Sequence, residues 1–259
     1  MANYHLRKFP KSRIATFDVF GVGREKHHIY AMLECDVTDA RQRLKELKAA
    51  GGKISFTGWL LKTIADTVAA HKEAAAFLYS RRSLIVFDDV NISIIVEKEV
   101  EGKKVPIPLV IEKAQDKTAE EITAEIARAK EAPLRGSDIV LHRRSSALEN
   151  LYYRLPGWLR RMVWRYMLRN PRLAYAKMGN VSFTSIGMMG QIPGWFIHSA
   201  VHPLSFGIGS IVKKPVVKDD AVVVREILHM TILVDHDVID GAPMARMVGE
   251  LVGRIEGRV

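Results

Sequence analysis

The chain has 259 residues and a formal net charge of +10; 48% of its residues are apolar and 8% are aromatic. This composition predicts a globular protein with a sizeable core, built as one large domain or two small ones. Because no run of about 18 apolar residues occurs, and because 1–13 lacks the apolar stretch of a secretory signal, we expect a soluble, cytoplasmic protein rather than a secreted or membrane-spanning one.

The positive charge is concentrated in one segment. Between Leu134 and Met178 there are ten Lys or Arg residues and two acidic residues, which leaves a net charge of +8 there and near balance elsewhere. Lys and Arg neutralise phosphates when a protein binds nucleic acid. Since the charge is confined and no recognised nucleic-acid motif is present, a nucleic-acid partner is disfavoured.

Cys35 is the only cysteine, which excludes an internal disulfide and a metal site built from several thiolates of one chain. It lies in 29–37, which has the pattern of a mostly buried strand, so we expect a packed thiol rather than a nucleophile. No spacing of histidines and acids resembles a metal site, and no metal cofactor is expected.

Periodicity and capping residues predict the elements in chain order. The first thirty residues give mixed signals, and Gly21, Gly23 and the basic, histidine-rich 24–28 suggest a loop that leads into the strand at 29–37. Asp36 or Thr38 can cap a helix at 40–50. Further helices are predicted at 54–71, 118–131 and 242–255, and further strands at 90–96, 105–110, 180–185, 205–212, 221–224 and 227–234. Helices set among strands without strict alternation predict an α/β sandwich with a mixed β-sheet in a single domain.

A histidine at the end of a predicted strand is the main candidate for catalysis. His236 follows the strand at 227–234, and Asp240 and Gly241 come just before the last helix. A histidine at such a junction projects from rigid backbone, and its ordinary pKa near 6.5 suits it to accept a proton at neutral pH. The residues alone also fit a structural or solvent-exposed histidine.

The pattern His-x-x-x-Asp-Gly at 236–241 resembles the active-site signature of dihydrolipoyl acyltransferase catalytic domains and of chloramphenicol acetyltransferase. The resemblance implies that His236 is the general base for a thiol or hydroxyl and that Asp240 is a structural acid. The resemblance extends over about four-fifths of the chain, and several other motifs contribute to it. They are 34–38 before the first helix, the Gly-Met-Met-Gly turn at 187–190, 202–203, 207–210 and 214–217.

By this resemblance, 1–259 is a stand-alone catalytic domain of the 2-oxoacid dehydrogenase acyltransferases, with a two-layer sandwich like that of chloramphenicol acetyltransferase. The resemblance implies coenzyme A or acyl-CoA as a substrate and a dihydrolipoyl thiol or another small molecule as the acceptor. It also implies a homotrimer, or a higher assembly of trimers, with each site between two subunits. No N-terminal lipoyl domain is present, so a lipoyl carrier would belong to another chain.

The resemblance also implies a hydroxyl that donates to the oxyanion of the tetrahedral intermediate. Matching 182–187 to the family places Thr184 at this hydroxyl position and Ser185 where the family usually has Asn. Thr184 is therefore the predicted oxyanion donor, with Ser185 as the second choice. Both residues also fit ordinary positions at the end of a strand.

Two positions differ from the family or are matched to it only by analogy. The residue after His236 is usually Arg but is Asp237 here, which places a second negative charge near the predicted base. Arg24 is considered as an ion-pair partner of Asp240, by analogy with the antibiotic-acetylating enzymes. The other histidines, among them His198, His202 and His229, are predicted to be satisfied polar groups.

A basic and aromatic insertion at about 134–178 resembles the family least. A helix is predicted at 158–170, with Leu159, Met162, Val163, Tyr166 and Met167 on one side and Arg160, Arg161, Arg165 and Arg169 on the other. One interpretation is a helix packed on the core with its arginine face in solvent. Others are a membrane-surface contact through 151–177, with the protein peripheral at that surface, a lid or docking face for an acidic carrier, and a site for the phosphates of coenzyme A.

The sequence thus predicts an acyltransferase with a histidine base and a hydroxyl oxyanion donor. The alternative is a non-catalytic trimeric scaffold, or a protein that docks on a membrane surface, with the acyltransferase fold retained. The acyl group, the acceptor, membership of a dehydrogenase complex and the assembly size are not indicated by the sequence.

Overall fold

The computed structural model describes residues 2–7, 9, 11–100, 103–132, 151–186 and 192–257. The strands are β1 His28–Asp36, β2 Phe77–Ser80, β3 Ser83–Ile85, β4 Ile92–Val100, β5 Lys103–Ile111, β6 Val181–Ser185, β7 Leu204–Lys218 and β8 Ala221–Asp235. The helices are α1 Lys11–Gly23, α2 Thr38–Ala49, α3 Phe56–Ala70, α4 Ala119–Glu131, α5 Gly157–Arg169, α6 Pro171–Met178 and α7 Gly241–Ile255.

Six strands form one sheet in the order β1-β8-β7-β6-β4-β5, and β2 and β3 form a separate hairpin. The short strand β6 is parallel to both of its neighbours, β4 and β7. All other pairs in the large sheet are antiparallel. The sheet is therefore mixed, which confirms the predicted α/β sandwich.

The two faces of the sheet have different surroundings. On one face, α3, α4 and α7 pack through residues such as Leu60, Ile122 and Leu251, which form a single core with alternate residues of the strands. Because successive side chains of a strand point to opposite faces, the residues between these core positions lie on the other side. This second face includes Ser182, Thr184, Ser205, Gly207 and Thr231.

Capping residues account for several helix boundaries. Thr118 and Glu121 form the predicted capping box of α4, because each side chain accepts from the other residue's backbone N–H. The N-cap of α2 is Val37, which makes no side-chain cap hydrogen bond, and the Asp36 carboxylate just before it accepts from the backbone N–H of Thr38 at 3.0 Å. After α2, Gly51 has a φ of +91°, a left-handed conformation that glycine adopts without steric cost.

Two predicted segments differ in the structure. The loop suggested from Gly21 onwards is wrong at Gly21 and Gly23, because Lys11–Gly23 forms α1, whereas 24–27 is neither helix nor strand. The α1 segment has no helical apolar period, but it packs along α5, so tertiary contact determines its conformation. The strands predicted at 221–224 and 227–234 form the single strand β8, which pairs with β7 over most of its length.

Helix α5 forms where it was predicted, and the interpretation in which its apolar side packs on the core is wrong for Met162, Val163 and Tyr166, which are exposed. Trp164 is buried and Arg160 is mostly buried, while Trp158, Met162 and Tyr166 are exposed. The reason is Asp18 of α1, which is 1% exposed and whose Oδ2 accepts from Arg160 Nε at 2.6 Å. A buried carboxylate needs a cation, and this ion pair turns Arg160 towards the protein, while Arg161, Arg165 and Arg169 stay exposed.

Some predicted features fall outside the described residues. They are the turn at 187–190, the first part of the insertion at 134–150, and the residues Glu101 and Gly102 between β4 and β5. Within the described residues, none of the helices has the length and apolar character needed to cross a membrane.

Candidate active site

His236 lies in a tight turn directly after β8. Its backbone N–H donates to the carbonyl of His27 at 2.9 Å, and the backbone N–H of Val238 donates to the carbonyl of Asp235 at 3.0 Å. Strand β1 pairs with β8 up to His28 and Asp235, so the turn is attached to two strands at its base. The imidazole itself is exposed in the single chain. The backbone is thus held while the ring remains accessible.

The carboxylates around His236 have different partners. Asp235 is buried and forms an ion pair with Lys26. Asp237 is partly exposed, and its carboxylate lies 3.0 Å from Nδ1 of His27. Asp240 is the residue before α7; its side chain is exposed and makes no capping hydrogen bond. The ion pair with Arg24 considered for Asp240 does not form among the described residues of the chain.

Thr184 and Ser185 lie at the end of β6, where Thr184 is half-buried on the second face and Ser185 is exposed. Thr184 pairs with Gly207 of β7, which in turn pairs with Thr231 of β8. His236 comes five positions after Thr231, which corresponds to about 17 Å along the strand direction. Two strand spacings add about 10 Å across the sheet. A single chain therefore does not bring Thr184 and His236 together.

The structure shows a polar cluster beside Thr184 that the sequence did not indicate. Ser182 Oγ lies 2.5 Å from Ser205 Oγ, and Ser205 Oγ lies 2.6 Å from His198 Nε2. Nδ1 of His198 and Oγ1 of Thr231 are buried without a hydrogen-bond partner among the described residues. Burial lowers the pKa of His198 to about 4, with a smaller effect from His28. The only signal in the sequence was the alternation of Ser182 and Thr184 along one strand.

The predictions for the remaining histidines and for Cys35 have mixed outcomes. His202 is satisfied, because its Nε2 bonds the carbonyl of Met178 at 3.0 Å, and burial lowers its pKa to about 4. His229 and His198 are satisfied at one ring nitrogen only, because Nε2 of His229 lies 3.5 Å from Glu34 and Nε2 of His198 lies 2.6 Å from Ser205, while both Nδ1 atoms lack a partner among the described residues. Cys35 is fully buried and burial raises its pKa to about 12, which confirms a packed thiol.

Comparison with protein families gives a match to "2-oxoacid dehydrogenases acyltransferase (catalytic domain)". The match covers residues 22–137 and 168–258. It leaves out 138–167, which contains most of α5. The family match therefore lies on both sides of the middle part of the basic insertion and does not include it.

A curated relative is an acyltransferase of the same kind as the matched family. A lipoamide acyltransferase component of the branched-chain alpha-keto acid dehydrogenase complex from Bacillus subtilis (strain 168) is 23% identical over 234 residues, which are 86% of this chain. The chain spans only 45% of the length of that relative.

Solved structures show the same fold. The cubic core of the pyruvate dehydrogenase multienzyme complex has a TM-score of 0.67 at 18% identity, with 97% of this chain and 92% of that chain covered. Azotobacter vinelandii dihydrolipoamide acetyltransferase has a TM-score of 0.68 at 20% identity, with the same coverage. That structure was determined to study the role of a serine, a histidine and an asparagine in catalysis.

The family match extends over well more than half of the residues and includes both the His236 turn and strand β6. The fold of the solved acyltransferase cores covers nearly the whole chain. The chain therefore belongs to the 2-oxoacid dehydrogenases acyltransferase (catalytic domain) family.

Proposed function

We propose that this chain transfers an acyl group between coenzyme A and a thiol of the dihydrolipoyl type or another small acceptor. His236 is the general base, Asp240 is a structural acid and Thr184 is the oxyanion donor, with Ser185 as the second choice. The lipoyl group, where it is the acceptor, is carried on a domain separate from this catalytic domain. The observation that supports this proposal best is the spacing of the three principal residues.

In the Azotobacter vinelandii enzyme, the serine studied for its catalytic role precedes the histidine by 52 positions, and the asparagine follows the histidine by 4. Thr184 precedes His236 by 52 positions, and Asp240 follows His236 by 4. A hydroxyl residue thus stands at the serine position and a carboxylate at the asparagine position. Equal spacing over a shared fold supports equivalent places for the three side chains.

The chemistry assigned to these residues is a proton transfer followed by acyl transfer. The His236 imidazole takes the proton of the attacking S–H or O–H, and the sulfur or oxygen then bonds to the carbonyl carbon of the acyl thioester. The carbonyl oxygen becomes an oxyanion, which accepts the O–H of Thr184. When the carbon–sulfur bond of the thioester breaks, the leaving thiolate takes the proton back from the imidazolium.

The separation of Thr184 and His236 in one chain requires that the site form between two subunits. The second face of the sheet is continuous with exposed apolar side chains at Tyr30, Met32 and Ile95, which a neighbouring subunit would cover. An isologous or cyclic contact would bury such a face. A related chain forms a cubic multienzyme core, which supports a trimer or an assembly of trimers here.

Turnover assays with acetyl-CoA and dihydrolipoamide test the proposal. His236→Ala should lower kcat at least about 100-fold, the usual contribution of a general base. Thr184→Ala should lower kcat about 100-fold, while Thr184→Ser, which keeps the hydroxyl, should retain most activity. His5→Ala is the matched control, since His5 is exposed and far along the chain from the site. Activity that survives His236→Ala would refute the mechanism, and an inactive wild type would favour the non-catalytic scaffold.

The exposed side of α5 supports a second proposal, that this helix contacts an anionic lipid surface. Trp158, Met162 and Tyr166 lie one turn apart and face solvent, beside the exposed Arg161. Aromatic residues with neighbouring arginines are typical of helices at a membrane interface. The family match omits this helix, which supports a role separate from acyl transfer.

Vesicle co-sedimentation tests the lipid contact. The wild type should bind vesicles that contain phosphatidylserine more tightly than neutral phosphatidylcholine vesicles, and added salt should weaken the binding. The double substitution of Trp158 and Tyr166 by Ser should lower binding at least about tenfold. The same substitutions at Tyr79 and Leu84, exposed residues of the β2–β3 hairpin, are the control. Equal binding by both variants would refute the contact.

A further inference from the structure

His198 lies in the irregular segment that crosses the second face of the sheet. Its Nε2 lies 2.6 Å from Ser205 Oγ, which lies 2.5 Å from Ser182 Oγ on the neighbouring strand. Ser182 and Thr184 are alternate residues of β6 and therefore share this face. A chain of hydrogen-bonding groups thus ends on an imidazole next to Thr184.

Gly207 places the imidazole close to Thr184. A Cβ on Gly207 would lie 2.6 Å from His198 Nδ1 and 2.9 Å from its Cε1, so the ring occupies the space that a side chain would fill. Gly207 pairs with Thr184 on one side and with Thr231 on the other. Neighbouring strands are about 4.8 Å apart, so Thr184 and Thr231 lie on the two sides of the glycine that carries the ring, and neither hydroxyl is hydrogen-bonded to Nδ1 in the single chain.

Nδ1 is buried and has no hydrogen-bond partner among the described residues. Because burial lowers the pKa of His198 to about 4, the ring is neutral at neutral pH and has one N–H. If the Ser205 hydroxyl donates to Nε2, the proton is on Nδ1, where it needs an acceptor. A threonine hydroxyl that donates to an oxyanion still has lone pairs to accept such a bond.

We propose that His198 is a positioning residue of acyl transfer: in the site formed between two subunits, the Thr184 side chain turns so that its hydroxyl accepts from His198 Nδ1–H, which directs the Thr184 O–H at the oxyanion. The inference rests on the proposed function, in which Thr184 is the oxyanion donor. The hydrogen bonds from Ser182 through Ser205 and His198 would then polarise the Thr184 hydroxyl cooperatively. The ring would not touch the substrate.

Two substitutions separate this role from a purely structural one. In His198→Asn the amide lies where Nδ1 was and can still donate to Thr184, whereas in His198→Gln it lies where Nε2 was and preserves only the contact with Ser205. We expect kcat to fall about tenfold in His198→Ala and His198→Gln, as for the loss of one hydrogen bond, and less than about threefold in His198→Asn. KM should change little in all three. The reverse order of Asn and Gln would overturn the proposal.

A double-mutant cycle tests whether His198 acts through Thr184. In a Thr184→Ala background, His198→Ala should lower kcat less than about twofold further, because the hydroxyl it positions is absent. A full additional tenfold loss would overturn the proposal while leaving the role of Thr184 intact. Conversely, full activity of Thr184→Ala alone would refute the oxyanion assignment itself, so the two failures are distinguishable.

The protonated nitrogen of His198 gives a readout that needs no turnover. In 15N-histidine-labelled protein, with His198→Ala used to assign the signal, we expect the proton on Nδ1. Thr184→Val should shift this signal and Thr231→Val should not. A proton on Nε2, or a shift with Thr231→Val alone, would overturn the proposal even if the wild type showed no acyl transfer.

Discussion

At the scale of single residues, the two acids that flank His236 have unlike surroundings although they are only two positions apart. Asp235 is 2% exposed and pairs with Lys26, which is 20% exposed. Asp237 is 39% exposed and pairs with His27, which is 77% exposed. Loss of one partner from a buried ion pair lowers the free energy of unfolding strongly, because the other charge is left buried and unpaired. An exposed pair contributes little to that free energy because water screens it.

We therefore predict that Asp235→Ala lowers the free energy of unfolding by about 3 kcal/mol, because it leaves Lys26 largely desolvated without a counter-charge. Asp237→Ala should change it by less than about 0.5 kcal/mol. Urea denaturation followed by circular dichroism measures both. Equal effects of the two substitutions would contradict the difference in burial on which the prediction rests.

Acid should weaken the fold through its buried neutral histidines. The pKa of His202 falls from 6.5 to about 4 because of burial, so below pH 6.5 the unfolded chain binds a proton that the folded chain excludes. Stability should therefore decrease as the pH falls from about 6.5 to about 4, by up to about 1.4 kcal/mol per pH unit for this histidine. Urea titrations at several pH values give the unfolding free energy as a function of pH. In His202→Gln the part of this pH dependence that comes from His202 should disappear. An unchanged slope would show that His202 is charged in the folded state.

At the scale of elements, α1 and α5 depend on one buried ion pair. Asp18 Oδ2 accepts from Arg160 Nε at 2.6 Å and from the Tyr152 hydroxyl at 3.0 Å. The Tyr152 oxygen also accepts from the Trp164 indole at 2.9 Å. All of these groups except the arginine are nearly or fully buried, so the acid holds the inner side of α5 in place.

Asp18→Ala should therefore release α5 locally. Removal of one partner of a buried pair should lower the free energy of local opening of α5 by several kcal/mol. Because trypsin cuts the opened segment, we expect cleavage after the arginines of α5 to become about 100-fold faster. Mass spectrometry of the fragments identifies the cleavage sites. Asp88→Ala is the matched control, because Asp88 is 96% exposed and its ion pair with Lys72 is on the surface. Cleavage at the wild-type rate would show that α5 is held by other contacts.

At the scale of the whole molecule, the proposed site needs two chains. Within one chain, Thr184 and His236 are separated both along the strands and across two strand spacings of the sheet. One chain can therefore supply only one of them to a given site. A subunit that lacks the base and a subunit that lacks the donor are therefore complementary. This property distinguishes a shared site from one that lies within a chain.

Co-refolding of His236→Ala and Thr184→Ala chains tests the shared site. Each chain alone should be nearly inactive, whereas an equal mixture should regain about a quarter of wild-type activity, because about one interface in four then has both intact residues. Mixing the two proteins after they have folded separately is the control. If the co-refolded mixture stays inactive while its trimers form, both residues do not act in one site between subunits.

The sequence by itself determined the family, the main helices and strands and the mixed α/β fold. The periodic segments became α3, α4 and α7, and the Thr118–Glu121 capping box formed as predicted. These features are local, because a helix face or a cap is encoded within a few residues. The candidate residues His236, Asp240 and Thr184 also came from sequence, by resemblance, and their roles remain predictions.

Only the tertiary structure decided which partners the polar groups have. The periodicity of α5 could not indicate that Asp18, 142 positions away, would bury Arg160 and not the other arginines of the same side. His198 lies in a segment without regular structure, and its place over Gly207 depends on how that segment crosses the sheet. Burial and ion pairing depend on distant residues, and for this reason the sequence pattern did not indicate which residues of α5 are buried or the polar cluster beside Thr184.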